Sequence, residues 1–444
     1  MHLNGLERGG SHEIRFNFAH VAALETIHSS GRDSRSRERS LRTDMAVGRR
    51  VSGFLSESGN GGVQQQVDRR VSYPALDLTR FGAALAVTLY HLAYWWWIPG
   101  ASASPSPFIA VTLFRWGWIG VQVFFVLSGF VIAFSAEAAT LTQFVARRVL
   151  RLFPAVWICA TLTFVLVVHE GHAAIFDYFR TLILSPIGPW ISGVYWTLAI
   201  EITFYASVAL CLWRGWRLSA LANFIGVASG CYWLLRATDF LLGAHFKAVF
   251  GVFDSPLGGL TLLPHGCFFA LGMALHEWKR GSSPSAAFRL AVVSAIAGTI
   301  QVAAAARFLL ASQGGSQAQL LDPILIWAFS VTIIILSVVC NNSVWSVFHK
   351  YAPTFRILGL MTYPLYLLHN EAGHILMLRL QPLGTSVALT TAVLSVVVMA
   401  LLVTKIERYP REALKYLLLS VRNWSRSPVR HRSLKIRLLR FGGF

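Results

Sequence analysis

From residue 75 onward the chain alternates long apolar runs with short polar ones. Runs of bilayer-crossing length lie near residues 75–97, 117–136, 152–168, 194–213, 219–238, 260–278, 287–310, 320–340, 357–379 and 385–404. A helix needs about 20 such residues to cross the hydrocarbon layer. The pattern predicts an all-α polytopic membrane protein of about ten transmembrane helices, with a spanning domain over residues 75–415. Residues 1–74 break the pattern: they are polar, rich in Ser, Gly and Arg, and have no apolar stretch behind a basic start. They read as a disordered cytoplasmic extension and not as a secretory signal, and Met45 is an equally acceptable start.

Composition agrees with that reading, since 55% of the 444 residues are hydrophobic and only 13% are charged. Aromatic clusters at the ends of apolar runs, Trp95 to Trp97 and Trp116 with Trp118, fit the belt that forms at headgroup depth. The five cysteines fall in or beside apolar segments without a CxxC spacing and read as buried packing thiols. The net charge of +19 is uneven: from Lys405 to the end there are eleven Lys or Arg against two Glu. Beside a terminal span, a basic tail over 416–444 is a cytoplasmic anchor to anionic membrane lipid, and no nucleic acid is expected as partner. Alternate loops carry the cations Arg147, Arg148, Arg151, Arg214, Arg217, Lys279, Arg280, Lys350 and Arg356. The positive-inside rule then puts both termini in the cytoplasm.

Within these spans a few ionisable residues stand out. Arg80 and His91 lie eleven residues apart in LDLTRFGAALAVTLYH. At about 100° and 1.5 Å per residue they return to one helix face about 16 Å apart, so they cannot touch but can serve one cavity. An intramembrane charge costs at least about 2.5 kcal/mol, which makes each such residue a functional candidate whose partner has to be found. Glu201 in WTLAIEITFY is another, between Trp196 and Tyr205, and Arg80 or a protonated His91 is the expected partner for its carboxylate.

The phrases LDLTRFGAALAVTLYH, WIGVQVFFVLSGFVI, FVARRVLRLFPAVW, VYWTLAIEITFY, LGLMTYPLYLLH and IERYPREALK follow one another in this order. Together they resemble the acyltransferase 3 family of integral-membrane acyltransferases, over residues 73 to 415. The resemblance implies an O-acyltransferase, often an O-acetylase, of surface glycans or lipid-linked sugars, with acyl-CoA, chiefly acetyl-CoA, as donor substrate and no tightly bound cofactor. It implies the inner membrane as location.

Under that resemblance His91 is the general base for the acceptor hydroxyl, or itself carries the acyl group; its bland reading is a packing histidine. Arg80, deeper on the same face, would meet the phosphates of CoA, or simply reach for the headgroups beside Asp77. Arg147, Arg148 and Arg151, before Pro154 at the entry to the third span, suit the CoA phosphates, although positive-inside anchoring also explains them. Glu201 would orient base or acceptor, and Trp196, Tyr205 and His369 would support the site. Where many relatives carry a carboxylate this chain has Gln122, which is given no catalytic role. Ser128 and Gly129 in FFVLSG read as close helix packing.

The groups His169-Glu170-Gly171-His172 and His369-Asn370-Glu371 with His374 both miss the H-E-x-x-H spacing, so no metal site is expected. Phosphate loops, nucleophile elbows and dinucleotide fingerprints are absent. The rival function is a glycolipid or polysaccharide transporter or flippase, in which buried ions mark a permeation path. No further domain is expected after Lys415, which points to a membrane-proximal acceptor or a separate extracytoplasmic partner.

Overall fold

The computed structural model describes residues 73–94, 114–172, 174–243, 247–312, 317–341 and 349–426. The N-terminal extension, the Trp95–Trp97 cluster and the end of the basic tail lie outside the described residues. The described chain is helical, with no strand. Its helices are α1 Pro74–Leu89, α2 Ile119–Ala136, α3 Leu141–His169, α4 Ile175–Leu182, α5 Trp196–Arg214, α6 Leu218–Leu242, α7 Lys247–Phe253 and α8 Pro256–Leu260. They continue with α9 Gly266–Arg280, α10 Pro284–Ser312, α11 Leu321–Val339, α12 Ala352–Leu368, α13 Glu371–Leu380, α14 Thr385–Ile406 and α15 Arg408–Arg426.

Seven helical stretches are long and apolar enough to cross a membrane, and the chain is an all-α polytopic membrane protein. Three expected spans are shorter or interrupted, each for a local reason. The α-helical winding of α1 stops at Leu89 and a π turn covers Tyr90–Tyr94. The expected span at 260–278 starts with a turn in which Leu262 has φ +62°, so the helix proper begins at Gly266. The expected span at 357–379 divides at His369 and Asn370 into α12 and α13. In contrast, α3 begins earlier than its apolar run. Thr140 caps it reciprocally with Gln143, the Thr140 hydroxyl accepting from the Gln143 N–H at 3.4 Å and the Thr140 N–H donating to the Gln143 side chain at 3.1 Å. That places Arg147, Arg148 and Arg151 inside a helix of 29 residues, about 44 Å long, against a hydrocarbon layer of about 30 Å. Pro154 lies within this helix and not at its entry.

Helix α9 sits at the centre, packed by α2, α6 and α10. Every residue from Gly266 to His276 is buried, as expected of a helix that is apolar all round. Its crossing with α2 rests on two glycines facing each other. A Cβ on Gly129 would run into the Phe269 carbonyl, and one on Gly272 into the Val126 carbonyl. This is the close helix packing expected of Gly129, achieved by bringing backbones together. On the other flank α1 packs on α12 and α2, and α12 packs on α14.

The outer surface is apolar: Phe224, Leu234, Phe288 and Phe329 all face outward, which suits a lipid solvent. Two expectations change here. Trp116 is 5% exposed and packs inward instead of joining a headgroup belt. Cys231 is exposed on α6, while Cys159, Cys211 and Cys267 are buried and Cys340 is partly so. The first part of the basic tail, to Arg426, is helical as part of α15.

The α2–α9 crossing generates a prediction. Gly129→Val is expected to destabilise the protein by at least the roughly 1–3 kcal/mol typical of overpacking, read as loss of thermal stability in detergent. Gly82→Ala, where a Cβ meets nothing within 4 Å, is expected to leave stability unchanged or slightly raised.

Candidate active site

A cavity of about 410 Å³ opens between α1, α2, α3, α5 and α12. Arg80 enters it from α1, Ser128 from α2, Arg147, Arg148 and Arg151 from α3, Glu201 and Tyr205 from α5, and Thr362, Tyr363 and Tyr366 from α12. The helical period explains the convergence: Arg148 and Arg151 are three apart on α3, Glu201 and Tyr205 four apart on α5, and Tyr363 and Tyr366 three apart on α12.

Arg148 donates to the Ser135 hydroxyl at 3.1 Å and lies 5.6 Å over the Phe144 ring and 5.7 Å over that of Tyr205. Arg151 lies 5.5 Å over Tyr363. Aromatic faces thus hold both guanidiniums in place through their π electrons. Two of their donors, Arg148 Nε and Arg151 Nη1, are buried without a hydrogen-bond partner. A buried, unpaired guanidinium donor is costly, so these atoms present a ready anion site.

The partner expected for Glu201 differs. Its carboxylate accepts from the Ser128 hydroxyl at 2.7 Å and from the Tyr205 hydroxyl at 2.6 Å. Among the described residues it makes no ion pair. Arg80 instead lies 3.9 Å from Asp77, three residues earlier on its own helix. Neutral hydroxyls can hold a carboxylate that faces α2, whereas Arg80 finds an acid one turn away at no cost in reach.

His91 does not line the cavity. It belongs to the π turn that ends α1, and such a turn, wound with an extra residue, rotates side chains off the stripe an α-helix would give. The expected sharing of one cavity with Arg80 is therefore not what the structure shows. His91 faces His369 instead, with His369 Nε2 3.1 Å from His91 Nδ1 and ring centroids 4.9 Å apart. His369 is fully buried at the end of α12. Its Nδ1 lies 2.7 Å from the Tyr366 carbonyl, and His91 Nδ1 lies 3.0 Å from the Val87 carbonyl.

These contacts assign the tautomers. A carbonyl only accepts, so His369 carries its proton on Nδ1 and its Nε2 is an acceptor. His91 must then carry its own proton on Nδ1, shared between Val87 and His369. The lone pair of neutral His91 is left on Nε2, the atom a base or nucleophile needs.

Tyr366 stands between the cavity and the histidines. Its ring is 5.4 Å from His369, and its hydroxyl accepts from Thr197 at 3.0 Å. Trp196, expected at the site, is 40% exposed and packs 5.6 Å from His265. Gln122 is buried, and with its amide turned to donate it meets the Trp118 carbonyl at 3.0 Å. In that orientation it also meets the Ile119 carbonyl at 3.3 Å.

Sequence reasoning missed Ser128, Thr197, Thr362, Tyr363 and Tyr366. A signal existed for those on α12, because Gly359, Thr362, Tyr366 and His369 fall on one helical stripe. No local signal marks Ser128, which acts only because α5 brings Glu201 opposite to it.

The tautomer assignment predicts that nitrogen NMR of histidine-labelled protein at neutral pH finds His91 protonated on Nδ1 and bare on Nε2. His369→Phe removes one of the two acceptors, and the Val87 carbonyl at 3.0 Å is expected to keep His91 protonated on Nδ1.

A family model described as "Acyltransferase domain" matches residues 73–405. The chain is 28% identical to "Nodulation protein 10" of Rhizobium leguminosarum bv. viciae over 46% of its own length and 60% of that protein's. It is 27% identical to "O-acetyltransferase OatA" of Staphylococcus aureus over 67% of its length and 50% of that protein's. A "Putative acetyltransferase ORF330" of Acidianus two-tailed virus is 27% identical over 31% of the chain and 40% of that protein. The chain thus spans only part of the curated relatives it matches. No solved structure matches it significantly.

Proposed function

The chain belongs to the acyltransferase family whose domain covers residues 73–405, and from that premise we propose a membrane O-acyltransferase of the inner membrane. It takes an acyl group, foremost acetyl, from acyl-CoA on the cytoplasmic side to a hydroxyl of a surface glycan or lipid-linked sugar. The observation that carries this reading is the cavity within the helix bundle with four arginines in its wall and two guanidinium donors unpaired. Such a site fits a polyanion, and CoA supplies a diphosphate and a ribose phosphate that guanidinium groups bind in bidentate fashion.

In this reading Arg147, Arg148 and Arg151 hold the phosphates of the donor, and Arg80, neutralised in part by Asp77, lies further along the same wall. The thioester end reaches past Tyr366 to His91. His91 Nε2 takes the proton of the acceptor hydroxyl as its oxygen attacks the thioester carbonyl; the C–S bond breaks, and the proton passes to the CoA thiolate. A relay through an acyl-imidazole uses the same lone pair. His369 keeps that lone pair in place, and Glu201 sets the Ser128 and Tyr205 hydroxyls along the path.

The test is acetyl-CoA consumption by purified protein, combined with mass spectrometry of surface glycans and lipid-linked sugars from a deletion strain. His91→Ala is expected to lower turnover about 10²–10⁴-fold. Arg148→Ala and Arg151→Ala are expected to raise KM for acetyl-CoA about tenfold, from the loss of one charge-assisted interaction each, with a smaller change in kcat. An acyl mass increment that the deletion loses, and that wild type but not His91→Ala restores, supports the proposal. Glycans that fail to reach the surface while their acylation is unaltered would overturn it in favour of transport.

A further inference from the structure

Hydroxyl groups inside these helices share a habit. Thr79, Thr203, Ser207, Ser330 and Thr404 each donate to the carbonyl four residues back on their own helix, at 2.7–3.0 Å, a bond that keeps a helix-borne hydroxyl satisfied without a partner from elsewhere. Ser128 departs from it. Its hydroxyl reaches from α2 to α5 and donates to the Glu201 carboxylate at 2.7 Å. From Ile119 to Phe130 every residue of α2 is buried except Phe124 and Ser128. These two are one turn apart and both line the arginine cavity, so α2 opens to that cavity at a hydroxyl already bonded to a carboxylate.

Glu201 is held as the matching base. Tyr205, four residues further on α5, donates to the same carboxylate oxygen at 2.6 Å and fixes its orientation. Among the described residues no cation pairs with the carboxylate, so its charge stays available to a proton. A nucleophile within hydrogen-bond reach of a base, with the base oriented by a third group, is the arrangement that activates a serine. Tyr205 is the less suited of the two hydroxyls, because it is buried and Arg148 lies 5.7 Å over its ring. His91 lies outside the cavity. A thioester whose phosphates rest on the arginines therefore meets Ser128 before it meets His91.

We infer that Ser128 takes the acyl group from the donor and holds it as an ester, with Glu201 as its base. The inference rests on the acyltransferase reading of the cavity and splits the transfer into two steps. In the first, Ser128 Oγ attacks the thioester carbonyl while its proton passes to the Glu201 carboxylate. The Oγ–C bond forms, the C–S bond breaks, and the CoA thiolate leaves and takes a proton from water. In the second, the acceptor hydroxyl gives its proton to His91 Nε2 and its oxygen attacks the ester carbonyl. The Oγ–C bond breaks, Glu201 returns its proton to Ser128 Oγ, and His91 releases its own to water. Every group is then back in its starting state.

The experiment mixes purified full-length protein with acetyl-CoA labelled in the acetyl group, quenches in acid and maps the labelled peptide by mass spectrometry. Wild type is compared with His91→Ala, Ser128→Ala, Ser128→Cys and Glu201→Gln, and thermal stability and surface-glycan acylation are followed on the same set. His91→Ala, blocked in the second step, is expected to accumulate an acetyl group on Ser128. Glu201→Gln should form it about 10²–10⁴-fold more slowly through loss of the base, and Ser128→Ala should form none and lose turnover. Ser128→Cys, nearly the same size, should carry the acetyl group as a thioester that neutral hydroxylamine removes, whereas the serine ester resists it. Turnover of Ser128→Ala equal to wild type, a label on His91 or Tyr205 instead of Ser128, or no label on Ser128 in His91→Ala overturns the proposal. Acetylated Ser128 with no acyl group on any glycan keeps the serine and overturns the glycan reading. Glycan acylation that Ser128→Ala leaves intact does the reverse, and no label with no acetyl-CoA consumed overturns both.

Discussion

Four guanidinium groups face one cavity in the wall of an apolar helix bundle, and of the acids beside them Asp77 pairs with Arg80 while Glu201 is held by hydroxyls. In a medium of low dielectric constant an excess of positive charge is expensive unless something holds it in place and something anionic visits it. The aromatic faces of Phe144, Tyr205 and Tyr363 do the holding. Much of the local architecture follows: α3 extends beyond the membrane thickness so that its arginines enter the bundle from one end, and α12 turns a row of hydroxyl-bearing side chains toward them.

The same constraint keeps the histidines apart from the arginines. A histidine beside four guanidiniums would find protonation opposed by every neighbour, whereas one bonded to backbone carbonyls and to a second imidazole has its tautomer dictated by geometry. The π turn ending α1 makes this arrangement, since it rotates His91 away from the Arg80 stripe and toward His369. Tyr366 separates the two environments and touches both, through Thr197 at the cavity and the His369 ring behind it. The arginines and the histidine pair thus occupy neighbouring compartments of one bundle. Helix α1 forms part of both, and its opposite face forms one wall of a second, apolar hollow.

Close backbone approach makes such a division feasible. Gly129 and Gly272 let α2 and the central helix α9 meet without side chains between them, Gly120 does the same for α2 against α1 at Ala83, and Gly117, in the turn before α2, does so at Ala86. Around these tight contacts, hollows open on two faces of α1.

The sequence by itself determined the fold class, because apolar runs of spanning length have no other stable home than a helix in lipid. It also marked Arg80, His91 and Glu201, since an ionisable residue inside an apolar run stands out against its surroundings, and Arg148, Arg151 and His369 through the resemblance of the phrases that carry them. What it could not determine was who meets whom. Glu201 pairs with Ser128 and Tyr205 and not with a cation, His91 pairs with His369 and not with the Arg80 cavity, and the span at 357–379 is two helices joined at the histidine. Periodicity places a residue on a face and at a depth. Which other face lies opposite, and whether one turn is wound as α or π, is decided by packing between helices hundreds of residues apart, and only the tertiary structure contains that information.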